Sequence, residues 1–196
     1  MIFRCLTIEQ RKAGSLCTFA ARENNKTNKK GLSLKSFQSR PILRNMVHYL
    51  FITALFALLL VCGVFWGLYF SLSRSYQVFT PAELAKIART IVGNLEVPMR
   101  NISILCLLMM SLSITFYPDK HSWNFYAMIA SLLLIIGSLV ITTAIEVPIN
   151  NKVVTWTQEN TPPDWEQLRN RWQYYNVVRT IMALLSFILF AAAVVD

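Results

Sequence analysis

Arg179 lies inside an apolar run, Tyr174–Val195, that is otherwise broken only by Asn176. An arginine at that depth in a bilayer costs about 2.5–3.5 kcal/mol on insertion scales. Such a charge is normally matched by a partner or by a water-filled cavity. The residues ahead of it set a pattern. Trp165, Arg169, Trp172, Asn176 and Arg179 are spaced four, three, four and three. At 100° per residue they fall within an arc of about 80° on one helix. Tyr174, Val177, Val178 and Ile181 occupy the other side and suit lipid, so the stripe faces inward. Its candidate partners sit in two similar segments, "LEVPMRN" at 95–101 and "IEVPINN" at 145–151. Glu96 with Arg100, and Glu146 with Asn150, are each one helical turn apart and can interact. The candidate site is therefore Glu146, Asn176 and Arg179, with Asn150, Arg169, Trp172, Glu96 and Arg100 around them. Two readings stay open. One is a polar-ended, aromatic-walled pocket opening to the cytoplasm. The other is a salt-bridge network that locks the last helix onto its neighbours.

These residues need helices to position them. The chain has 196 residues, 55% hydrophobic and 15% charged, whereas soluble domains carry about 25% charged residues. Four apolar runs are each near the length of about 20 residues that a spanning helix needs. The expected fold is all-α, a four-transmembrane-helix bundle, with helices at about 48–71, 98–117, 122–150 and 164–195. A short amphipathic interfacial helix is expected between the first two. Thr80-Pro81-Ala82-Glu83 reads as its capping box with proline at the first position. Leu84, Ile87, Ala88 and Ile91 give it one apolar face, and Gly93-Asn94 reads as its end. Asp164 is expected to cap the last helix. Gly63 and Gly67 form a small-xxx-small pair, expected to admit a neighbouring helix. Trp66, Arg74 and Tyr76 are expected as interfacial anchors.

Charge is uneven. Residues 1–45 hold ten Lys/Arg and two Glu, a net +8, while 46–196 are near neutral at +1. The first 45 residues read as a basic, disordered extension: a transit peptide, a cytosolic tail or a stretch upstream of a start at Met46. The bundle's loops place their Lys/Arg in the first and third loops. The positive-inside rule then puts both loops in the cytoplasm and both termini outside. The tail argues the opposite way. The expectation adopted is the bundle's, in the cell (inner) membrane.

The sequence also excludes classes. A nucleic-acid-binding surface needs a basic face with aromatic readers, and the tail offers charge alone. Cys5, Cys17, Cys62 and Cys106 show no Cys-x-x-Cys and no metal-ligand spacing. His48 and His121 sit at helix edges, poorly placed for haem.

"VPINNKVVTW" followed by "DWEQLRNRWQYYNVVRT" resembles the anthrone oxygenase-like family of small four-helix membrane proteins. The shared signature falls on Pro148, Asn150, Trp172, Asn176 and Arg179, with Arg169 ahead of them. The helix pattern is similar over 46–196. The resemblance implies oxidation of an anthrone by molecular oxygen without metal or flavin, so no cofactor is expected. It implies Glu146 as the base, Arg179 and Asn176 as holders of the enolate oxygen, and Trp172 as a stacking wall. The family motif admits histidine or asparagine where this chain has Asn176, so base duty falls to a glutamate here. The expected partners are the lipid bilayer and a hydrophobic aromatic small molecule, with no nucleic acid; a homo-oligomer stays open. The alternative is a non-enzymatic membrane protein, a small transporter subunit or assembly factor.

Overall fold

Proline and hydroxyl residues mark where several of these helices start and where one widens. The computed structural model describes residues 41–157 and 159–195; the expectations for residues 1–40, Cys5 and Cys17 among them, lie outside those residues. Helix α1 spans Pro41–Leu68 and widens into a π-helical turn, Tyr69–Ser73. Helix α2 spans Pro81–Thr115. Helix α3 spans Trp123–Ile141, passes through a second π turn, Thr142–Glu146, and continues as α4, Val147–Val153. Helix α5 spans Trp165–Val195. Four helical stretches are long and apolar enough to cross a bilayer: Asn45–Ser73, Pro81–Thr115, Trp123–Val153 and Trp165–Val195.

Local signals explain most of the boundaries. Both the Thr80 amide and its hydroxyl donate to the Glu83 carboxylate at 2.8 Å, and Pro81 starts α2. The Ser122 hydroxyl accepts from the Phe125 amide at 3.2 Å and starts α3. At α5 the Asp164 backbone carbonyl accepts from the Gln167 and Leu168 amides. The amphipathic segment after Thr80 is helical, but Gly93-Asn94 does not stop it. It runs on through Pro98 into the second spanning stretch. Proline is tolerated inside such helices, and at about 1.5 Å per residue a 35-residue helix outruns a bilayer core of about 30 Å.

The π turn at Thr142–Glu146 has a chemical cause. Pro148 lacks an N–H, and its ring crowds the carbonyl four residues back, that of Ala144. A one-residue widening relieves the crowding. The Thr142 and Thr143 hydroxyls donate to the Ser138 and Leu139 carbonyls at 3.0 Å, supplying donors within an apolar span.

Helices α3 and α5 form the tightest seam. The Ser131 hydroxyl donates to the Ser186 carbonyl at 2.7 Å, and the Ser186 hydroxyl donates back to the Ser131 carbonyl at 2.8 Å. One heptad along, the Ser138 hydroxyl donates to the Arg179 carbonyl at 3.0 Å. Gly137 sits between these serines, so close to α5 that a Cβ there would lie 2.5 Å from the Met182 methyl. Small residues and interhelical hydroxyl bonds are what membrane helix pairs use.

Helix α1 docks through Ala54, Ala57, Leu58, Val61, Cys62 and Phe65. The Cys62 thiol donates to the Ala183 carbonyl at 3.2 Å. Gly63 and Gly67 point away: both are exposed, and a Cβ at either would meet nothing within 4 Å. The expected helix contact at that pair is therefore not made within the described bundle. The neighbouring face of α1 carries the larger side chains that fill the space between helices.

Candidate functional site

A second buried cluster covers one end of the bundle. Tyr76, Leu84, Ala85, Ile149, Val153, Trp156 and Trp172 form its centre. They come from the turn after α1, the first turns of α2, α4 and the turn that follows it, and the first turns of α5. Tyr76 is a correction. Expected as an interfacial anchor, it is buried and stacks on Trp172, ring centroids 4.7 Å apart and planes 17° from parallel. Trp66 and Arg74 do lie exposed, with the Arg74 guanidinium 5.6 Å from the Phe70 ring centroid. Burial holds the Tyr76 phenol well above the usual tyrosine range, and the nearby Glu146 charge adds to this while Arg169 offsets it.

Beneath that cluster lies the stripe of α5. Trp172, Asn176 and Arg179 are buried; Trp165 and Arg169 are half-buried; Tyr174 and Ile181 are exposed. Arg179 forms an ion pair with Glu146 at 2.5 Å, both side chains being at least 95% buried. It is the single ion pair among the described residues. Two further contacts hold the guanidinium. Its Nε and Nη2 groups donate to Asn176 Oδ1 at 3.2 and 2.9 Å, and its Nη1 donates to the Thr142 hydroxyl at 3.1 Å. Its flat face lies 4.3 Å from the Phe65 ring centroid, a cation–π contact. Asn176 Nδ2 donates to the Ser73 hydroxyl at 3.2 Å, and Gln173 Nε2 donates to the Ser73 carbonyl at 2.8 Å.

The two π turns thus meet at the Asn176–Arg179 pair. Thr142 and Glu146 lie at the ends of one turn, and Ser73 ends the other. Widened helix turns of this kind recur at functional sites because they re-aim side chains. Sequence reasoning missed Ser73, Thr142, Gln173 and Tyr76. Thr142-Thr143 carried a signal, being two hydroxyls in an apolar run just ahead of Glu146. Ser73 and Tyr76 fall where helical periodicity ends, and the pattern offers no register for them.

The remaining expected residues lie around this network. Asn150 is half-buried, one turn beyond Glu146. Arg169 is held by its own helix: its guanidinium lies 4.9 Å from the Trp165 ring centroid and its Nε donates to Asn170 at 3.3 Å. Glu96 and Arg100 are exposed on α2, away from the Arg179 pair. Of the two glutamates considered for Arg179, Glu146 is the one that meets it.

Two buried polar atoms have no hydrogen-bond partner among the described residues: Glu146 Oε1 and Trp172 Nε1. A buried polar atom without a partner costs about 1–3 kcal/mol, so each calls for an explanation. One is an acceptor and the other a donor. Glu146 is paired with Arg179, and Trp172 lies one helical turn before Asn176 on the buried side of α5.

Residues 89–189 match the model of the anthrone oxygenase family, more than half of the chain. The chain belongs to the anthrone oxygenase family. Within the family match lie Glu146, Trp172, Asn176 and Arg179, the whole carboxylate–guanidinium–amide core. Ser73 and Tyr76, which close the site from the α1 side, precede it. No curated protein and no solved structure matches the chain.

Proposed function

We propose that this anthrone oxygenase family member, a multi-pass protein of the cell membrane, oxidises a hydrophobic anthrone-like aromatic with molecular oxygen. The observation that carries this reading is Glu146: Arg179 holds one of its carboxylate oxygens, and the other is buried and unpartnered. A carboxylate in that state can accept a proton from carbon. The methylene of an anthrone lies between two aromatic rings and conjugates with the ketone, so its proton is acidic. Oε1 of Glu146 takes that proton and the ketone oxygen becomes an enolate. Glu146 is then neutral, and the positive charge of Arg179, no longer matched by the carboxylate, stabilises the enolate. The electron-rich carbon forms a bond to O2 and, with a proton, gives a hydroperoxide. Loss of the second methylene hydrogen and cleavage of the O–O bond release water and leave the quinone. One O2 is consumed for each quinone and each water, with no external reductant.

The four N–H groups that Arg179 commits to Asn176, Glu146 and Thr142 favour a second reading, in which the network only clamps α5 to α3. Assay separates the two. Purified protein in lipid nanodiscs, given emodin anthrone in air, should form quinone with one O2 taken up per turnover. A rate equal to that of empty nanodiscs would overturn the enzymatic reading.

A further inference from the structure

Arg179 has five N–H donors. Its Nε–H, both Nη1 hydrogens and one Nη2 hydrogen are directed at Asn176, Glu146 and Thr142. Asn176 is similarly occupied, its oxygen by Arg179 and its nitrogen by Ser73. The two residues expected to hold an oxyanion are therefore largely committed to each other. Trp172 is in the reverse position. The Tyr76 ring covers a face of its indole at 4.7 Å, while its N–H is buried and without a partner. It lies one helical turn from Asn176 and two from Arg179, on the same buried face of α5.

We propose that Trp172 is a catalytic donor, its indole N–H holding the substrate oxygen that becomes negative when Glu146 removes the carbon-bound proton. This rests on the anthrone oxidation proposed above. It changes what Trp172 does: its ring is fixed by Tyr76, and it meets substrate through its edge. It also gives the two unpartnered atoms one explanation. The ligand they fit is a planar aromatic ketone with an acidic C–H, the oxygen for Trp172 and the proton for Glu146. A donor aimed at a charge that exists only after proton removal stabilises the enolate more than the ketone.

The test uses full-length protein in nanodiscs, kept free of oxygen, with anthrone as the probe. Binding is measured by equilibrium dialysis, and enolate formation by its visible absorbance as pH is raised. Trp172→Phe keeps a ring for Tyr76 and removes the N–H. The expected result is that it binds anthrone within about threefold of wild type while enolate appears about one pH unit higher, the size of one lost hydrogen bond to a charged group. Enolate formation at the wild-type pH would overturn the role of Trp172 and leave that of Glu146 standing. Wild-type protein that takes up no anthrone would overturn both. A second measurement avoids the variant. With nitrogen-labelled tryptophan, the Trp172 indole N–H resonance should move downfield when anthrone binds to wild type. Its staying in place while anthrone is bound would overturn the proposal.

Discussion

At the residue scale, the Glu146–Arg179 pair follows from cost. An arginine within an apolar run needs an opposite charge, and the chain has eight acidic residues after position 45. That much was legible in the sequence. The choice between Glu96 and Glu146 was not, because both precede Val-Pro and both have a polar residue one turn on. The neighbours decide it: Thr142 and Glu146 reach Arg179 together, whereas Glu96 stays at the surface. Tyr76 gives a prediction of its own. Its phenol ionises at about pH 10 in an unfolded chain and higher in the fold. The folded state therefore keeps the proton longer. The stabilising contribution is full below about pH 10 and is lost as pH rises from there through the folded value. Wild type should lose stability above about pH 10 faster than Tyr76→Phe, as thermal melting in detergent across pH 8–12 would record. Equal losses would mean that the phenol is not held in the way described.

At the scale of elements, hydropathy placed the four spans but could not place the bends. A π turn adds one residue to one helical turn, and periodicity over a run of apolar residues does not register it. Pro148 was visible, and its effect on the Ala144 carbonyl was the available clue. The Gly63–Gly67 pair shows the opposite failure. Its spacing was real, yet α1 presents Ala57, Val61 and Phe65 to the bundle instead. Gly137 is the glycine at which two helices do close up, and it has no second small residue four positions away to announce it. A methyl group there meets only the end of the flexible Met182 side chain. Replacement of a helical glycine by alanine also gains up to about 1 kcal/mol in propensity. Gly137→Ala should therefore change stability by less than about 1 kcal/mol. Gly137→Leu should lose about 1–3 kcal/mol or more through overpacking. Reversible unfolding in mixed micelles measures both, and a severe loss in the alanine variant would show that Met182 cannot move aside.

Across the whole molecule, the candidate site lies at one end of the bundle, beside a cluster of aromatic and aliphatic side chains from turns and helix ends. We propose, from the bundle's loop charges, that this end faces the cytoplasm. Reporter fusions in the 74–80 segment should give cytoplasmic activity and fusions after residue 196 should not; the reverse result would invert the orientation. The membrane character and the buried Arg179 network were legible from apolar runs and from one arginine within them. The covering cluster was not, because its members come from turns and helix ends that lack a shared period. The central claim concerns one atom, Oε1 of Glu146. Glu146→Gln keeps its shape and removes its basicity. It also leaves Arg179 buried without a counter-charge, a loss of about 3–5 kcal/mol, so the comparison must be made per folded molecule. The decisive measurement is the aerobic turnover of emodin anthrone by Glu146→Gln against wild type in nanodiscs, normalised to folded protein. The account predicts a fall of about a hundredfold or more, the usual contribution of a general base. Turnover equal to wild type would contradict it.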